Sequence, residues 1–246
     1  MPQVNYQNKI YWGSIFMGDS DMEQKVIFDT SSDWLTIESS ACFTCEGNYY
    51  DYNTSNSYDT VTVTPVDRYY GYSHLRGIEA QDKVCLTSFS NCVNPFTFFM
   101  ITDQFGLPSE IDGILGLTLG EKNEAPLDFK LGPLFLDRLY EEGNITQKSF
   151  STHFSSIEGN SFVDFGPPRD NHMKLETQRT IELDKTFFWQ VNPTGVRFVR
   201  SDGDLNEFRV DEFKAILSSA SEFTMVPAKI ARPFFRKFLK KTKRDE

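Results

Sequence analysis

Apolar runs of about four to eight residues, some alternating with polar positions and some continuous, fill residues 9–120 between clusters of Gly, Pro, Asn, Asp and Ser. That pattern predicts many short strands. KIYWGSIFMG and QKVIFD form an expected antiparallel pair with Asp19-Ser20-Asp21 as the turn. TVTVTPV alternates cleanly and predicts a strand, and Tyr69 to Cys85 suits a hairpin tipped near Tyr72 to His74. Residues 94–104 and 110–117 carry two more apolar strands. The expected product is a barrel-like or sandwich-like lobe built from non-local pairings. Residues 133–142 change period, with apolar residues at 134, 135, 136, 139 and 140. This predicts a short helix ended by Gly143. Strand patterns resume in SFSTHFSS, NSFVDFG, RTIEL, FFWQVNPTGVRFV and EFRVDEFKAIL. PAKIARPFFRKFLKKTKR is the last helix candidate, kinked or restarted at Pro233.

Composition supports a β-rich interior: 39% of the 246 residues are hydrophobic, with 23 Phe and 10 Tyr. No apolar run approaches the ~20 residues that cross a bilayer. The N-terminal MPQVNYQNKIYWG has neither a basic nor an apolar leader region, so no signal peptide is visible. The net charge of −10 is uneven. Residues 229–244 hold eight Lys and Arg and no acid, which leaves 17 basic against 33 acidic residues in 1–226. An acidic body repels phosphates and excludes nucleic acid as a partner. The basic segment could dock on an acidic partner, an anionic membrane or the acidic body itself, but a solvated helix end is the simplest reading, and membrane contact is the weaker option.

Cys42 and Cys45 stand in a CxxC, and Cys85 and Cys92 are seven apart. With His74, His153 and His172 scattered, this is a poor zinc site, and no metal or other cofactor is expected. Two local disulfides fit better and point to an oxidising, secretory or extracellular compartment. Asn53-Thr54-Ser55 and Asn144-Ile145-Thr146 are candidate glycosylation acceptors.

The stretch Val26-Ile27-Phe28-Asp29-Thr30-Ser31-Ser32-Asp33-Trp34-Leu35 concentrates the candidate chemistry. An acid that ends a buried apolar strand is costly to desolvate unless other groups bind its charge, and the hydroxyls that follow can do so. By itself a capped turn between strands explains it, with Asp33 as a solvent-facing turn acid. Further motifs follow in order. They are Tyr70-Gly71 with Gly77 and Asp82-Lys83-Val84, then Ile111-Asp112-Gly113-Ile114-Leu115-Gly116-Leu117, PLFLDRLYEEGNITQKSFSTHFSS and NSFVDFG. Together they resemble the pepsin-like aspartic proteases (peptidase A1) over nearly the whole chain.

That resemblance implies an all-β, pepsin-like bilobal fold with a few short helices. It also implies a catalytic role for Asp29, and a flap and peptide cleft formed with Tyr70, Gly71, Thr30 and Ser32. The Cys42–Cys45 pair matches a small disulfide loop common in the family, and Asp112 looks like a structural acid. Lobe boundaries are expected at 9–150 for a complete N-terminal lobe and 151–226 for a partial C-terminal lobe. A basic helical segment then covers 227–246. The family's inhibitory prosegment is not visible, and the chain resembles a degenerate, C-terminally truncated member.

Pepsin-type hydrolysis needs two facing carboxylates, one taking a proton from water while the other donates to the peptide carbonyl. The place of the second lies in Ala215-Ile216-Leu217-Ser218-Ser219-Ala220-Ser221, where Ser218 replaces the aspartate and Ala220 the glycine. A serine hydroxyl is too weak an acid to share such a proton, and Asp211, Glu212 and Glu222 are poorly placed to substitute. Ser31 also replaces the first loop's glycine. The expectation is an inactive pseudoprotease acting as a structural or peptide-binding subunit, its second lobe completed by a protein partner. The competing expectation is an active endopeptidase whose second carboxylate comes from another chain.

Overall fold

The computed structural model describes residues 1–6, 10–120, 131–157, 159–169, 178–183, 187–199, 205–209, 214–221, 223–229, 231–232 and 235. Three strands open the chain: β1 (Pro2–Tyr6), β2 (Ile10–Met17) and β3 (Met22–Asp29). β2 and β3 pair through residues 17 and 22, around the turn that the sequence predicts. β4 (Leu35–Glu38) and the two-residue β5 (Asp59–Thr60) follow. The long hairpins are built from β6 (Val66–Tyr70), β7 (Ser73–Thr87) and β8 (Ser90–Phe105). β9 (Gly113–Gly116) precedes the helix α1 (Phe135–Glu141). Then come β10 (Phe150–His153), β11 (Ser161–Phe165), β12 (Gln190–Val191), β13 (Gly195–Val199), β14 (Leu205–Arg209) and β15 (Ala215–Ile216).

One 11-stranded sheet runs β10-β11-β1-β2-β3-β9-β4-β8-β7-β5, with β6 pairing on β7. β10 and β11, which flank the expected boundary near residue 150, join this sheet through β1, as Pro2 pairs with Phe162. β12 pairs with β15, and β13 with β14, in separate small ladders.

The second half of β3, Val26 to Phe28, is apolar without alternation because it is buried on both faces. Phe28 joins a core with Ile15, Met17, Leu35, Phe98 and Phe135, while its neighbour Ile27 joins another with Trp34, Leu75, Phe99 and Ile111. β9 lies between β3 and β4, parallel to β3 and antiparallel to β4. The glycines of the 111–117 motif make that insertion possible. A Cβ on Gly113 would stand 2.0 Å from the Thr36 carbonyl oxygen, and one on Gly116 would stand 2.4 Å from the Asp33 carbonyl carbon.

α1 ends at Gly143 as the spacing predicts, with Asn144 N–H donating to the Leu139 carbonyl (2.9 Å). Both disulfides form, Cys42–Cys45 and Cys85–Cys92, the second between register partners on β7 and β8. The Asn144 amide donates to the Cys92 carbonyl (2.6 Å), which occupies the nitrogen a glycan would need.

Two expected strands are corrected. TVTVTPV leaves the ladder after Thr60, and Val63 is 84% exposed. Among the described residues no element covers that valine face, so alternation alone does not hold it as a strand. The described part of RTIEL, residues 179–183, is irregular. Of the last helix candidate, Ala231 N–H bonds the Pro227 carbonyl (3.0 Å), and residues 236–246 lie outside the described residues.

Candidate active site

Asp29 is the last residue of β3, and the chain that follows is held against β9 by backbone bonds. Leu117 N–H donates to the Asp29 carbonyl (2.8 Å), Thr118 N–H to Ser32 (3.0 Å) and Gly116 N–H to Trp34 (3.0 Å). The loop is therefore fixed by its neighbours as well as by its own turn. Asp29 is 5% exposed. Its Oδ1 accepts from Ser31 N–H (2.9 Å) and from the Ser31 hydroxyl (2.6 Å). Ser31 thus uses the side chain that the family's glycine lacks to bind the acid.

The second loop follows β15 and meets the first by reciprocal bonds. The Thr30 hydroxyl donates to the Leu217 carbonyl (2.7 Å) and accepts from Ser219 N–H (3.0 Å). In return the Ser219 hydroxyl accepts from Thr30 N–H (3.0 Å) and donates to the Phe28 carbonyl (2.5 Å). Ser218 is held between them, and its Oγ lies 3.1 Å from the Ser31 Oγ. The centre is a line of carboxylate, hydroxyl and hydroxyl. Among the described residues, Ser31 alone supplies hydrogen bonds to the Asp29 carboxylate, and no carboxyl group reaches it. Asp211, Glu212 and Glu222 lie outside the described residues.

The β6–β7 hairpin turns at Gly71 and Tyr72, between paired Tyr70 and Ser73. Gly71 stands at φ +59° with open space around it, at the hairpin tip. Alternation along β6 puts Arg68 and Tyr70 on the inner face. Tyr70 packs against the cluster of Trp34 and Leu75, and burial raises its hydroxyl's pKa, with the Asp29 and Asp33 charges acting the same way. Arg68 lies with its guanidinium carbon 4.2 Å from the Trp34 ring centre and 4.9 Å from that of Phe99. His74 is at the surface, stacked on Tyr69 and bonded to Asp67 (2.9 Å).

Asp33 corrects the expectation of a solvent-facing acid: it is 1% exposed. Its Oδ2 accepts from Gly132 N–H (2.6 Å), because the segment before α1 closes over the loop. Burial pushes its pKa up, opposed by the Gly132 bond and the Arg68 charge. Ser32 is also buried, with its hydroxyl unpartnered among the described residues, so it backs the loop rather than lining an open cleft. Asp112 accepts from Lys25 N–H (2.7 Å) and Asn48 N–H (2.8 Å) and ties β3 to the loop before Tyr50.

The structure therefore brings Asp29, Thr30 and Ser218 together, packs Tyr70 on the neighbouring Trp34 cluster, where the Asp29 charge acts on it, and leaves Gly71 in open space at the hairpin tip. Sequence reasoning missed Ser219 and Arg68. The first had a signal: Ser219 follows Ser218 as Thr30 follows Asp29. Arg68 had none, because its burial depends on the aromatic pair beneath it.

A model of the eukaryotic aspartyl protease family matches residues 10–246. The chain is 28% identical over 208 residues to pregnancy-associated glycoprotein 2 of Bos taurus, covering 79% of the chain and 51% of that protein. It is 25% identical over 238 residues to vacuolar protease A of Neurospora crassa, covering 94% and 56%. Pepsin A of Suncus murinus is 26% identical over 194 residues, covering 77% and 49%. The chain spans about half the length of these curated relatives.

Proposed function

Because the chain belongs to the eukaryotic aspartyl protease family, we propose that it is a catalytically silent member whose cleft binds peptide without cutting it. The observation that carries this reading is Ser218, held by the Thr30–Ser219 bonds where an acid partner for Asp29 would stand. Hydrolysis by a carboxylate pair needs one member protonated and the other ionised at the same pH. The Ser31 and Ser218 hydroxyls can pass hydrogen bonds, but neither is acidic enough to protonate a peptide carbonyl. Losing one member of such a unit removes orders of magnitude of rate.

The test is turnover of a denatured, fluorescently quenched protein substrate from pH 3 to 6, run beside Asp29→Asn. Wild type and Asp29→Asn should give the same background rate. Cleavage in wild type that disappears in Asp29→Asn would establish the competing reading, an active endopeptidase with its second carboxylate from another chain.

Two further parts of the proposal concern surroundings. The disulfides, with relatives named for a vacuole and as a glycoprotein, support a secretory-pathway lineage. Around the second loop, Leu217, Phe223 and Met225 are exposed, which supports a protein partner covering this end. In a native extract the chain should then sediment well above its own 28.3 kDa; recovery as a monomer would dismiss the partner.

A further inference from the structure

Arg68 is 9% exposed, and its Nε is buried with no hydrogen-bond partner among the described residues. Among the described residues its terminal nitrogens make no hydrogen bond, and no carboxylate lies within ion-pair distance. Asp33, on whose carboxyl the Arg68 charge acts, gives its Oδ2 to Gly132 N–H. A guanidinium remains charged at any pH the protein meets. Burying one without a counter-ion costs several kcal/mol, and stacking on Trp34 and Phe99 offsets only part of that. The aromatic rings hold the plane of the group in place, so its donor fork is presented rather than free to wander. Nε is buried while the terminal nitrogens are not, and the side chain lies on the inner face of the hairpin that also carries Tyr70.

We propose that Arg68 is an anion-reading subsite of the cleft, selecting peptides that carry an aspartate or glutamate side chain beneath the β6–β7 hairpin. This rests on the peptide-binding reading above and adds a ligand class to it. A carboxylate meets the fork with two parallel N–H···O bonds, a direct partner that Asp33, which acts on Arg68 through its charge, does not provide. A neutral amide of the same shape fills the same space without that gain. The subsite is a selectivity element and takes no part in bond breaking.

The experiment uses the full chain and a fluorescein-labelled octapeptide of small and apolar residues. Each position is replaced in turn by Glu or by Gln, and binding is followed by fluorescence anisotropy at low salt. At one position or two adjacent ones, the Glu peptide should bind about ten-fold tighter than its Gln twin. Arg68→Gln, its fold checked by circular dichroism and melting, should lose that preference, so that its Glu and Gln peptides bind alike. Equal binding of Glu and Gln peptides at every position overturns the subsite while leaving the peptide cleft intact. So does a preference that survives in Arg68→Gln. Binding of none of the peptides removes the cleft and the subsite together. If Arg68→Gln does not fold, Arg68→Lys replaces it: the charge stays, the fork is lost, and most of the preference should go with it.

Discussion

Glu38, the last residue of β4, is 2% exposed, and its Oε2 has no hydrogen-bond partner among the described residues. Burial pushes its carboxyl up to about 7; a Gly47 N–H bond opposes this, and the charges of Asp112 and Glu46 reinforce it. A carboxyl whose folded value is raised favours the native state while protonated. The stabilisation is complete below the ordinary carboxylate range and is lost as pH rises through about 7. Asp33 and Asp112 are raised in the same sense by burial. The protein should therefore lose stability between pH 5 and pH 8, by on the order of 3 kcal/mol from Glu38 alone. Urea unfolding at the two pH values measures the loss, and Glu38→Gln should flatten it. A wild type equally stable at both would show that this acid is solvated.

At the scale of elements, the insertion of β9 between β3 and β4 builds the site, since it pins residues 29 to 34 from one side. Gly116 is where β9 meets that loop, against backbone atoms of Ser32 and Asp33 that no rotamer change can move. Gly116→Ala should cost more than about 4 kcal/mol in urea unfolding, well beyond a surface substitution. A loss under 1 kcal/mol would mean that the loop is free to withdraw. The apolar run 111–117 suggested a strand but gave no partner. Its parallel place beside β3 depends on a chain crossing that no local pattern encodes.

For the whole molecule, β1 is the bridge: it pairs β2 on one side and β11, about 160 residues further along the chain, on the other. Without it, β2 and β11 would each present an open edge, and unpaired edges template association. Deleting residues 1–6 should lower the melting temperature by several degrees and shift size-exclusion light scattering toward oligomers. A deletion that stays monomeric and melts like wild type would show that β10 and β11 are held by other contacts. Such long-range pairing also predicts folding in milliseconds to seconds rather than microseconds.

Much of this was legible in the residues. The strand-rich class, the β2–β3 turn, the β6–β7 hairpin, the helix end at Gly143 and the acid at Asp29 all follow from local patterns. Local patterns suffice there because periodicity and turn chemistry act between neighbours in the chain. Tertiary structure decided the rest: that Asp33 is sealed beneath Gly132, that Val63 stands exposed despite its alternation, and that Arg68 lies on Trp34 and Phe99. Those outcomes depend on which distant segment covers a residue, and burial, unlike periodicity, is a property of the cover.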